Sequence, residues 1–193
     1  EVIGLPRVLS YWDTMPFWKT FWQALGYTVR ISDKSTRKTY EKGMESMPSE
    51  SVCYPAKLSH GHIISLVKQG IKTIFYPCVP YSRKEYKSAD NHYNCPIVIS
   101  YSEVLKNNVE ELKDKDITFL NPFLPFDAKT LAETILGLPE FKKYNFTKKE
   151  LLNAAKLAEE EYQHCRADIH AEGAKAVEYL EKNHLKGIVL AGR

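Results

Sequence analysis

Residues 55–78, PAKLSHGHIISLVKQGIKTIFYPC, read as a helix followed at once by a strand. Pro55 suits the first turn of a helix, because its missing N–H has no partner there anyway. Gly70 supplies a stop. The run KTIFYPC (72–78) is then too short and too apolar for anything but a buried strand. The same alternation extends in both directions. VIGLPRVLS reads as a strand, PFWKTFWQALG (16–26) as a helix closed by Gly26, YTVRIS (27–32) as a strand, and STRKTYEKGM (35–44) as a helix capped by Ser35. Downstream, PIVISY (96–101) reads as a strand and SEVLKNNVEELK as a helix capped by Ser102; DITFLNPF and DAKTLAETILGL, capped by Asp127, repeat the pair. Alternation of this kind predicts an α/β fold over 1–146. Its mostly parallel sheet, of Rossmann or flavodoxin type with about five strands, carries helices on both faces.

The character changes at Thr147. The segment 147–186 is rich in Ala, Glu, Lys and Leu and holds a helical period, with Thr147 and Glu150 forming a capping box. It reads as a helical connector, in one piece or broken near Gly173. GIVLAGR (187–193) reads as the first strand of a truncated second domain, so the chain is expected to be a fragment of a longer protein.

With 193 residues and 44% hydrophobic content, the chain can bury a sizeable core. The net charge of +3 is spread over mixed clusters, with no basic stripe of the kind that binds nucleic acid. No stretch is apolar enough to span a bilayer, and EVIGLPRVL carries no secretory signature. Four cysteines without such a signal point to a cytoplasmic protein, whose thiols serve as metal ligands, catalysts or packing rather than disulfides.

Three of those cysteines stand beside prolines: Cys53 in SESVCYPAK, Cys78 in FYPCVPY, Cys95 in NCPIV. Cys78 ends a predicted strand, and open α/β sheets bind ligands outside the carboxyl ends of their strands. Cys53 precedes the helix begun at Pro55, where free N–H groups stabilise negative charge. Cys95 lies just before a predicted strand, so only the 79–94 loop could bring it to the edge that Cys78 occupies. Spacings of 25 and 17 residues match no short zinc signature. Two readings therefore stay open: small buried residues, or a shared metal or cluster site. Lys57, in the first turn after Cys53, is either a solvated lysine or a cation beside a thiolate. Cys165 sits mid-helix and reads as packing, and His164 and His170 lack a same-face metal spacing. His60 and His62 read as surface or core histidines, with His62 able to face the cleft.

The run YEKGMESMPSESVCYPAKLSHGHI, with FYPCVPY and NCPIV, resembles the cysteine-bearing module of the 2-hydroxyacyl-CoA dehydratase and benzoyl-CoA reductase superfamily. The likeness is greatest to the large fused proteins known as CoA-substrate-specific enzyme activases, and it covers essentially the whole chain, IGLPRVL and GIVLAGR included. It implies an iron–sulfur cluster, [4Fe–4S] or double-cubane, held by Cys53, Cys78 and Cys95 with Lys57 nearby, and absent from aerobic preparations. The implied partner is an ATPase activator domain or subunit that delivers low-potential electrons, and the implied substrate an acyl-CoA or small molecule undergoing radical-type dehydration or reduction. A homodimer or heterodimer is expected in the full-length protein. No ATPase motif is present, so the fragment is not expected to act alone. The competing expectation is a structural domain, with or without metal, that docks an activator and does no chemistry.

Overall fold

The computed structural model describes residues 1–84, 86–125 and 127–190. Four strands form one sheet: β1 (Val2–Leu5), β2 (Thr28–Ile31), β3 (Thr73–Phe75) and β4 (Thr118–Leu120), in the order β2-β1-β3-β4. Every pairing is parallel, with Ile3 opposite both Val29 and Thr73, and Ile74 opposite Phe119. The helices are α1 (Met15–Ala24), α2 (Arg37–Gly43), α3 (Tyr54–Lys68), α4 (Pro96–Asn108), α5 (Ala128–Gly137) and α6 (Lys148–Lys182). Helices α1, α5 and α6 pack together, as do α2, α3 and α4. The chain leaves β1 in one direction to reach β2, and then crosses back over β1 to reach β3. The helices of those two connections must lie on opposite faces if both crossovers are right-handed.

The local chemistry explains most boundaries. Gly26 and Gly70 take φ of +88° and +80° just beyond α1 and α3, the left-handed stop that glycine allows without strain. Asp127 caps α5 through its carboxylate, which accepts the Thr130 N–H. Thr147 and Glu150 form a reciprocal box at the start of α6. The core between α1 and the sheet is aromatic: Trp18 and Trp22 meet Phe75 edge-on at centroid distances of 5.1 and 5.2 Å. Edge-to-face contact of this kind adds to area burial because ring faces are negative and ring edges positive.

Two expectations need correction: the strand at 96–101, with the strand count that included it, and the cap at Ser35. Residues 96–101 are not a strand but the first turns of α4, which runs unbroken through Ser102. The β-branched run PIVIS suggested a strand, yet Pro96 opens a helix, and Tyr101, Ser102 and Leu105 form one buried face. The sheet accordingly has four strands among the described residues. Residues 187–190 lie outside the sheet, and Ile188, Val189 and Leu190 are almost fully exposed. Residues 191–193 of the same expectation lie outside the described residues. The long helix runs unbroken through Gly173, one of the two forms expected, and its start also packs in the core. Leu151, Ala154, Ala155 and Ala158 are buried in the core, where α6 packs on α1 and α5. Thr36, rather than Ser35, caps α2.

Candidate functional site

In a sheet ordered β2-β1-β3-β4, the connections leaving β1 and β3 diverge to opposite faces, and a crevice opens between them at the carboxyl edge. The segment after β1 and the long connection from β3 to α4 wall that crevice. The result is a cavity of about 1080 Å³ lined by Arg7 and Ser10 from the first segment, and by Ser82, Tyr93 and Asn94 from the second. Lys34 and Ser35, beyond β2, complete one side.

Cys53 and Cys95 both border this cavity. Each is the N-cap residue of a helix, α3 and α4 respectively, and each helix carries proline in its first turn. The reclassification of 96–101 explains how Cys95 reaches this edge. A helix that leads into a parallel strand starts at the carboxyl edge, whereas a strand would have started at the other. No side chain caps either helix, so both N-termini keep unused hydrogen-bonding capacity.

Cys78 is elsewhere. It continues the β3–β4 pairing through a bridge to Phe123 and is fully buried. Its Sγ lies 2.9 Å from the Ser102 hydroxyl on α4. Burial pushes the thiol up from its ordinary pKa, against the opposing effect of that hydrogen bond. Ser102 is two turns along α4 from Cys95, roughly 10 Å of helix rise. Lys57 also turns away: its ammonium donates to the Glu50 carbonyl at 2.8 Å. Cys165 borders a separate groove with Trp12, Arg166 and Ile169.

As donors, Cys53 and Cys95 suit a thiophilic metal or an iron–sulfur cluster. Cys78, with its thiol engaged by Ser102, does not complete a three-thiolate set with them as placed. Among the described residues, no three His, Cys, Asp or Glu side chains converge as a metal site.

Two histidines of α3 are buried, and one of them bonds to a residue of the cavity wall. His62 is buried, with Nδ1 at 2.8 Å from Ser32 Oγ and Nε2 at 2.8 Å from Ser35 Oγ. His60 is buried too, with Nδ1 at 2.8 Å from Ser46 Oγ and Nε2 at 3.0 Å from the Tyr101 hydroxyl. Burial pulls both imidazoles down to about 4; for His62 the Arg7 charge adds to the effect while Asp33 opposes it. Burial, and then the charge of Cys53, push the Tyr101 phenol up to about 12. Tyr101 thus stays a neutral phenol between His60 and the cysteine at the head of α3. The histidines were visible in LSHGH, but their serine partners were not, because Ser32, Ser35 and Ser46 reach them only through the approach of β2 and α2 to α3.

No helix among the described residues is long and apolar enough to cross a membrane. No curated protein and no solved structure matches the chain. A family model does, over residues 2–193: by that match the chain belongs to the family described as the CoA enzyme activase uncharacterised domain, DUF2229.

Proposed function

We propose that this domain is the thiol-bearing acceptor module of an ATP-driven activase system. In this reading Cys53 and Cys95 would hold an iron–sulfur cluster, [4Fe–4S] or double-cubane, at the carboxyl edge of the sheet. The observation that carries the proposal is the pair itself: two cysteines, each heading a proline-opened helix, border one cavity at the crevice where α/β sheets bind ligands. Such a cluster would supply a low-potential one-electron acceptor when bound. The residues of the chain have simpler tasks. The helix N-termini offset negative charge, and the cavity admits an acyl-CoA or smaller molecule. The electron would come from an ATPase activator domain or subunit. Cys78 joins as a third ligand only by giving up Ser102, and Lys57 would need to leave Glu50 to act there.

Anaerobic preparation of the 193-residue chain, with iron and labile-sulfide analysis, tests this. The expected result is iron and sulfide in stoichiometric amount, lost in Cys53→Ala and in Cys95→Ala and kept in Cys165→Ala. Loss in a folded Cys78→Ala variant would add Cys78 to the ligand set. Zinc alone, or iron indifferent to both Cys53 and Cys95, sinks the proposal.

A second reading, a docking module with no chemistry of its own, draws on the far half of α6. Ile169, Val177 and Tyr179 are exposed there, beyond the buried residues of its first turns. A metal-free chain that still binds an activator ATPase as tightly as the loaded one favours this reading.

A further inference from the structure

Part of the wall of the large cavity is built of donors and cations. The Arg7 backbone N–H donates to Ser32 Oγ at 2.8 Å. Ser32 is itself buried, and the only other side-chain partner it has among the described residues is His62 Nδ1. A buried hydroxyl that already accepts one bond must place its own proton on an acceptor, and here that acceptor is Nδ1. The neutral ring then carries its proton on Nε2 and donates it to Ser35 Oγ at 2.8 Å. This leaves the Ser35 hydroxyl proton directed to the cavity that Ser35 lines. The same pattern excludes a serine nucleophile activated by His62, because the ring donates to Ser35 and accepts nothing from it.

Arg7 and Lys34 line the cavity beside Ser35. Neither makes a side-chain ion pair among the described residues. Arg7 Nε is buried without a hydrogen-bond partner among the described residues, and the guanidinium stacks over Trp12 at 4.4 Å. An orphaned buried donor on a cation carries a desolvation cost that a bound acceptor would relieve. Asp13 is the one acidic residue in the cavity wall among the described residues, and burial pushes its carboxyl up from the usual range.

From Ser35, Arg7 and Lys34 we infer that this end of the cavity is a binding site for an oxyanion, a phosphate or carboxylate group carried by a small-molecule ligand. The site shares its cavity with the cysteine pair but uses other residues and needs no metal.

Titration of the full chain with inorganic phosphate and, separately, acetate tests the site, read by calorimetry and by amide shifts in nuclear magnetic resonance. Saturable binding is expected, with shifts at Arg7, Lys34 and Ser35. Loss of one charge-assisted donor should weaken binding about tenfold in Ser35→Ala and again in Lys34→Met. Lys34 is exposed and makes no ion pair among the described residues, so Lys34→Met should fold as the parent does; Ser35→Ala gives up its bond to His62, and circular dichroism checks its fold. Cys53→Ala and Cys95→Ala should bind as the parent does, which separates this site from the cluster proposal. Tighter binding of phosphate assigns a phosphoryl group, and tighter binding of acetate a carboxylate. Absence of saturable binding by either anion, or affinity unchanged in both Ser35→Ala and Lys34→Met, overturns the inference.

Discussion

Neutral imidazoles hold the head of α3 to its neighbours. His60 and His62 are two residues apart on α3, yet each finds a different pair of hydroxyls: Ser46 and Tyr101 for one, Ser32 and Ser35 for the other. Both are pulled down to about 4 by burial. An unfolded chain would bind a proton at each near pH 6.5. Between pH 6.5 and about 4 the unfolded state therefore holds more protons than the folded one, so stability falls as the pH falls through that window. Going from pH 7 to pH 5 should cost about 2 kcal/mol per histidine. Urea unfolding at the two pH values measures it, and His62→Gln should remove roughly half of the difference. A stability that is flat over that range would contradict the buried, neutral assignment. None of this was legible in LSHGH. The residue types suggested histidines of unremarkable role, and only tertiary packing supplies the hydroxyls that bind them.

At the scale of elements, the contact of α2 with α3 rests on two glycines. A Cβ on Gly61 would lie against the Thr39 carbonyl, and one on Gly43 would come within 2.6 Å of the Gly61 backbone nitrogen. The two helices can approach this closely only because both positions lack side chains. Gly61→Ala should separate them, at a cost of about 1–3 kcal/mol. The loss should also displace Ser35 and Ser46 from the histidines, because α2 lies in the chain between those serines. Gly173, in the exposed stretch of α6, meets nothing within 4 Å. There Gly173→Ala should stabilise the helix by up to about 1 kcal/mol through propensity alone. Thermal unfolding of the two variants, measured by circular dichroism, should shift in opposite directions. A shared direction would undo the packing argument. Helix stops were readable from sequence at Gly26 and Gly70, because the signal is local. The 96–101 segment was not, because a β-branched run fits a buried helix turn as well as a strand. The choice there falls to Pro96 and to the core that receives Tyr101 and Leu105.

At the scale of the whole molecule, alternation of strand and helix sufficed to predict a parallel α/β fold, since that signal is summed over many residues. The edge at which the cavity opens also followed from chain order. Which thiols share it did not: Cys53, Cys78 and Cys95 have equivalent proline-rich surroundings in sequence, and only the orientation of β3 beneath α4 turns Cys78 towards Ser102. The remaining link is between the cavity wall and α6, nearly eighty residues further along the chain. Arg83, the neighbour of Ser82 in the wall, donates to Glu159 at 2.8 Å and stacks over Tyr162 at 4.2 Å. Within the same wall, Ser82 N–H bonds to the His92 carbonyl and Asn94 N–H to the Pro80 carbonyl. Few buried apolar side chains support this segment, so its opening should be more frequent than that of the sheet. Glu159→Ala removes the carboxylate from α6 while leaving the core face of that helix intact. The ion pair is partly exposed, so global stability should change by no more than about 1 kcal/mol. Local opening should increase: amide exchange at Ser82 and Asn94 is expected to speed up several-fold, while exchange at Ile74 and Leu5 in the central strands stays as it was. Uniform acceleration across the chain would mean that the pair supports the whole fold, and unchanged exchange at Ser82 and Asn94 would mean that α6 does not brace the cavity wall.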